Sequence, residues 1–124
     1  MISYSPAEVS QKTGFSIDTL RYYEKIGLLY DVGRTAGGRR RFDENNLNLL
    51  RLLRCLRDTE MPIADMLRFV QLLRAGDERR RERLAVLREH DSRVEEQIAR
   101  LREHQRLIRH KIEVYTAAES TTCS

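Results

Sequence analysis

The stretch that decides the fold is Phe15 to Leu29, FSIDTLRYYEKIGLL. It reads as a short helix between two stops: Ser16 can cap the first turn with its hydroxyl, and Gly27 can close the last. Ile17 and Leu20 fall on one side at helical spacing, while Arg21, Tyr22, Tyr23 and Lys25 spread donors and flat rings around the rest. Such a face suits phosphates.

Upstream, Ser5, Pro6 and Glu8 write another helix start: a capping hydroxyl, a proline at the first helical position, and a carboxylate placed to close a capping box. This helix is predicted over Pro6 to Lys12. Gly14 supplies the turn and Ser16 restarts the chain two residues later, which is helix-turn-helix spacing, although spacing alone also fits any two-helix corner. The following segment, LLYDVGRTAGGRRRF, brings Gly33, Gly37 and Gly38 together with Arg39, Arg40 and Arg41 and ends at Phe42. Glycines there predict a tight hairpin, and an arginine hairpin directly after a helix-turn-helix is what a wing needs to approach a sugar-phosphate backbone and neutralise it.

From Asp43, a cap candidate, the pattern returns to helix, with Leu49, Leu50, Leu53 and Leu56 as its apolar stripe. Cys55 falls nearly opposite that stripe. Met61-Pro62 breaks the helix, and Ile63, Met66, Leu67, Val70 and Leu73 trace another amphipathic helix, read as core, that ends at Gly76. Between Asp77 and Tyr115 there is neither proline nor glycine, and a heptad can be followed. Leu84, Asp91, Ile98, Gln105 and Ile112 take one seam position; Leu87, Val94, Leu101, Ile108 and Tyr115 take the other. One uninterrupted helix of about 57 Å follows from the rise per residue. Alone it exposes its seam to water, so a partner helix is expected, held by Leu84, Leu87, Val94, Ile98, Leu101, Ile108 and Ile112. The small polar residues after Thr116 predict a disordered tail that includes Cys123. The expected division is therefore a head over 1–76, a dimerisation helix over 77–116 and a tail over 117–124.

A chain of 124 residues has room for one compact head and an extension. Its formal charge of +4 and pI near 9.4 make a polyanionic partner plausible, and up to Arg41 seven basic residues face four acidic ones. Two distant cysteines, no apolar run long enough for a membrane span, and an N-terminus without charged or apolar leader regions predict a cytoplasmic, reducing location. No Ser/His/Asp, Cys/His or paired-carboxylate arrangement stands apart from the helix-face charges, which argues against an enzyme. An architectural protein that bends DNA without sensing anything remains a rival.

With these elements in this order, the sequence resembles the MerR family of transcription regulators. The resemblance is carried by Thr19-Leu20-Arg21-Tyr22-Tyr23-Glu24, then Gly27-Leu28-Leu29, Arg34 and the run from Gly38 to Phe42. It implies an all-α fold with a small β wing: a winged helix-turn-helix head and a long helix that joins two copies in an antiparallel coiled coil. It further implies double-stranded promoter DNA as partner, a near-palindromic site, and RNA polymerase acting on the same promoter, without a cofactor. Carried over, Ser16, Asp18, Thr19 and Arg21 face the major groove, Tyr22 and Tyr23 take phosphates, and Arg39, Arg40 and Arg41 form the wing contact. Arg39 stands where the family wing usually has tyrosine, which implies a more electrostatic contact.

Metal-responsive members resemble one another in a ligand at the start of the long helix, where Gly76-Asp77-Glu78 stands here, so no metal site is expected. His90, His104 and His110 lack same-face spacing and read as surface residues. A separate C-terminal effector domain is not expected either. Cys55-Leu56-Arg57-Asp58-Thr59-Glu60-Met61-Pro62-Ile63 resembles the subgroup with a lone cysteine that responds to aldehydes or nitrosothiols. Glu60 replaces the usual glycine, which bears on how the two helices meet. Arg51 and Arg54 could favour the Cys55 thiolate while Asp58 opposes them. Cys55 as sensor candidate and Cys55 as an inert packing residue both stay open, as does a non-covalent ligand.

Overall fold

Side-chain caps set where the first helices begin. In the computed structural model, which describes residues 2–122, α1 is Pro6–Thr13 and α2 is Ile17–Ile26. Ser5 and Glu8 close a capping box, each accepting the other's backbone N–H, and the Ser16 hydroxyl accepts the Thr19 N–H at 3.1 Å. Gly14 and Gly27 end the two helices at φ 79° and 91°, angles that a Cβ disfavours, so each reversal falls where glycine stands.

The wing is a ribbon of two residues a side, β1 (Gly33–Arg34) against β2 (Arg40–Arg41), antiparallel, with Arg34 opposite Arg40. So short a ribbon has little stability of its own. Its base is lengthened by Tyr4, which exchanges backbone hydrogen bonds of 2.8 and 2.9 Å with Phe42, a pairing the sequence did not signal.

α3 (Glu44–Asp58) starts on reciprocal 2.9 Å bonds between Asp43 and Asn46, and α4 is Ile63–Arg74. Asn46 is buried yet satisfied, since its amide also donates to the Tyr30 carbonyl. Between the helices Glu60 takes φ 68°, the left-handed region. Its N–H donates to the Arg57 carbonyl at 3.0 Å and that of Met61 to Leu56 at 2.9 Å, the paired bonds of a glycine-type helix ending. Glutamate thus keeps the turn that glycine would make, at a backbone cost of roughly 1–2 kcal/mol.

The core joins these elements through Val9, Phe15, Leu20, Leu28, Phe42, Leu50, Leu53 and Val70, all essentially without solvent contact. Of the predicted stripe, Leu50, Leu53 and Leu56 are buried and Leu49 is half-buried. One expectation is corrected: Ile63, read as core, is exposed, and Phe69 takes an interior place on α4 instead; Leu47 is buried and Ile17 exposed.

The chain divides into two units, Met1–Val86 and Leu87–Ser124. A short 3-10 turn at Asp77–Arg79 precedes α5, Arg80–Thr122, whose 43 residues span about 65 Å. Residues 117–122 are helical, which corrects the disordered tail expected there; Cys123 lies outside the described residues. In α5 Leu101, Ile108, Ile112 and Tyr115 are exposed, as are Leu107 and Val114 off the predicted seam, and Ile98, Leu101, Gln105 and Ile108 line one shallow groove. His90 is only 6% exposed, against the surface position expected, whereas His104 and His110 are exposed. No described helix is long and apolar enough to cross a membrane.

Candidate nucleic-acid interface

α2 divides into a buried and an open side. Leu20 and Tyr23 face the core, and Tyr23 packs edge-on against Phe15 with ring centroids 5.2 Å apart. This corrects one member of the expected phosphate set: Tyr23 is 4% exposed, while Tyr22 next to it is 52% exposed. The open side carries Ser16, Ile17, Asp18, Arg21, Tyr22 and Lys25. Ser16 and Thr19 are engaged with each other, hydroxyl to hydroxyl at 2.9 Å, so their first role is to start the helix. Asp18 lies in the first turn, where the helix dipole favours a carboxylate.

The turn before α2 is braced from α3. Arg54 reaches the Thr13 carbonyl, pairs with Asp58 at 2.8 Å, and lies with Arg57 over the Phe15 ring, each 5.6 Å from its centroid. Arg54 is therefore committed to the turn and to Asp58. Cys55 beside it is exposed, and its carbonyl accepts the Thr59 hydroxyl.

The three wing arginines, equivalent in sequence, differ in structure. Arg41 donates to the Ser3 hydroxyl and carbonyl at 2.9 to 3.1 Å, tying the N-terminal segment to the wing. Arg40 is half-buried against Glu24 of α2 at 2.7 Å. Arg39 is exposed, and among the described residues its guanidinium has no ion pair. At the tip the Thr35 N–H donates to the Arg39 carbonyl and the Thr35 hydroxyl accepts the Arg39 N–H, which holds the Arg39 backbone in place.

α1, α2 and the wing enclose a cleft of about 400 Å³ whose lining includes Pro6, Ile17, Arg21, Arg34, Arg39 and Arg40. Arg21 and Arg39, eighteen positions apart in sequence, thus face one space. The sequence reading missed Ile17 and Arg34 as lining residues and Glu24 as the wing's anchor. Arg34 and Glu24 stood in the family motif, but ten residues separate them and no local periodicity pairs them. Among the described residues no group of three His, Cys, Asp or Glu side chains converges.

A helix-turn-helix with an arginine wing held on its second helix defines a winged DNA-binding head. The chain belongs to the MerR family: the pattern of the MerR HTH family regulatory proteins matches residues 4–75. An uncharacterized HTH-type transcriptional regulator of Haemophilus influenzae is 38% identical over 119 residues, which cover 96% of this chain and 88% of the relative. Among solved structures, HiNmlR, a MerR family regulator lacking the sensor domain and bound to promoter DNA, matches with a TM-score of 0.87 at 38% identity, over 96% of this chain and 94% of its own. A MerR family regulator from Bacillus thuringiensis matches with a TM-score of 0.81 at 29% identity, over 90% and 97%.

Proposed function

We propose that the protein regulates transcription as a homodimer on a near-palindromic promoter site, with α2 in the major groove and the wing on the flanking backbone. The observation that carries this reading is the cleft that brings Arg21 of α2 and Arg39 of the wing together. Likeness to a regulator bound to promoter DNA supports it. Arg21 can donate two hydrogen bonds to guanine, Asp18 can accept from the cytosine amino group, and Ser16 and Thr19 border them at the start of the helix. Tyr22 and Arg39 take phosphates, and Arg40 and Arg41 serve chiefly by holding the wing.

The seam residues Leu84, Leu87, Val94, Ile98, Leu101, Ile108 and Ile112 join the two copies, so that paired heads meet paired half-sites. By deforming the spacer between promoter elements the dimer presents both to RNA polymerase, with part of its specificity in the deformation energy. The exposed Cys55 thiol receives the effector in this reading, by reaction with a small aldehyde or nitrosothiol.

Substituting Arg21→Ala is expected to weaken binding to a selected operator by about 1–3 kcal/mol and to relax preference at one base pair. Fluorescence anisotropy on operator variants reads both, and unchanged affinity removes α2 from the groove. For the effector, promoter transcription in vitro by the wild type and Cys55→Ser is compared with and without aldehydes. A response lost only in the variant, with adducts on Cys55, supports the thiol; equal responses assign effector binding elsewhere.

A further inference from the structure

We infer that Glu24 is a positioning residue for sequence discrimination, because its single carboxylate fixes the wing relative to α2; the inference rests on the DNA-binding reading above. Glu24 Oε1 accepts from Arg40 Nε at 2.7 Å and from Arg34 Nη2 at 3.4 Å. These two arginines belong to opposite strands of the wing and stand in register with each other. Like charges directly opposite across a ribbon repel, and a ribbon of two residues a side, braced only by the Thr35–Arg39 bonds at its tip and the Tyr4–Phe42 pair at its base, has little stability to set against that repulsion. One carboxylate from the neighbouring helix, between both guanidinium groups, cancels the repulsion and fastens both strands to α2 at once. The Glu24 and Arg40 side chains are only 22% and 28% exposed, so solvent ions screen this contact less than an ordinary surface pair.

Glu24 lies three positions after Arg21 on α2, within the same turn. It therefore sets the separation between the Arg21 wall and the Arg39 wall of the cleft. Base reading by α2 and backbone contact by the wing must be satisfied together on one duplex, and that separation decides whether they are.

Charge counting and positioning make opposite forecasts. Glu24→Gln removes a negative charge near DNA and frees two arginines, so simple electrostatics expects every duplex to bind more tightly. Positioning expects the freed cations to strengthen binding only where register does not matter. The wild-type protein is used to select duplexes from a random library. Affinities for a selected duplex and for a scrambled one of equal composition are then measured across salt concentrations, for wild type, Glu24→Gln and Arg40→Gln, with thermal melting to verify folding.

The expected result is a tenfold or larger fall in the selected-to-scrambled affinity ratio in both variants. In Glu24→Gln the scrambled duplex binds more tightly, with a salt slope steeper by about 1 to 2. Arg40→Gln takes away a cation instead, so a ratio that falls in both variants reports geometry rather than net charge. If selected and scrambled affinities move together and the ratio stays constant, the positioning role is overturned and DNA binding stands. If the wild type selects no sequence, the DNA-binding reading fails and this inference with it.

Discussion

Among the described residues, the buried apolar side chains all lie between Val9 and Val70, whereas from Leu101 to Tyr115 every residue is exposed. The first unit builds a core of its own, using four helices that are individually too short to persist in water and are stabilised by packing, although Ile17, Ile63 and Leu84 stay exposed. The helical residues from Leu101 onward have the opposite character: a long run without glycine or proline, ion pairs available at helical spacing, and apolar side chains with nothing of their own unit to cover them. Two kinds of stability follow. One depends on the sequence folding back on itself; the other, in the dimer proposed above, depends on meeting a second helix and so on protein concentration.

The sharpest way to break this contrast is to charge the seam. Leu101→Glu with Ile108→Glu places carboxylates where a partner's apolar side chains are expected. The head should keep its melting transition while sedimentation shows monomers. Affinity for a two-half-site operator should fall by about a hundredfold or more, because the second head no longer binds at a high effective concentration. A variant that stays dimeric and binds as before would place the interface elsewhere.

The same contrast explains what could be read from sequence. Caps are local: Ser5 with Glu8, Ser16 with Gly27, and Asp43 each lie within a few residues of the backbone groups they satisfy, so the helix starts were legible. The long helix was legible too, because a run without glycine or proline is also a local pattern. What depends on distant partners was hidden. Arg39, Arg40 and Arg41 look interchangeable, and only contacts 16 and 38 residues away assign Arg40 to Glu24 and Arg41 to Ser3. Adjacent Tyr22 and Tyr23 carry the same ring, and the fold sends one to solvent and the other against Phe15. Helical periodicity also placed Ile17 beside Leu20, yet Ile17 stands at the first helical residue, where the core has already turned away.

Within the head, the junction of α3 and α4 offers a smaller effect of opposite sign. Glu60 holds φ 68° in a turn that glycine makes freely. Glu60→Gly relieves the left-handed strain but gives the unfolded chain more freedom, so the two terms oppose. The strain is the larger, and a net gain of about 0.5–1 kcal/mol is expected in urea unfolding of the head. A loss of stability instead would mean that the Glu60 side chain contributes more to the junction than its backbone costs.

The smallest effect concerns the first turn of α1, and its sign depends on pH. The Ser5 N–H, followed by the Ser5 hydroxyl, holds the Glu8 carboxyl below its ordinary 4.5. A carboxyl whose folded pKa is depressed stabilises the protein above its unfolded pKa, and that contribution is lost as pH falls through the folded value. Glu8→Gln keeps an acceptor for the Ser5 N–H but not the charge. Wild type should therefore melt slightly above the variant at neutral pH, and the gap should close as pH drops below about 4.5. Ser5→Ala removes the other half of the box, and its cost of about 1 kcal/mol should be the greater at neutral pH. If the gap between wild type and Glu8→Gln does not change with pH, the carboxylate charge contributes nothing to the cap. The start of α1 would then rest on the Ser5 hydroxyl and Pro6 alone, and the head's local order would owe less to electrostatics than to backbone geometry.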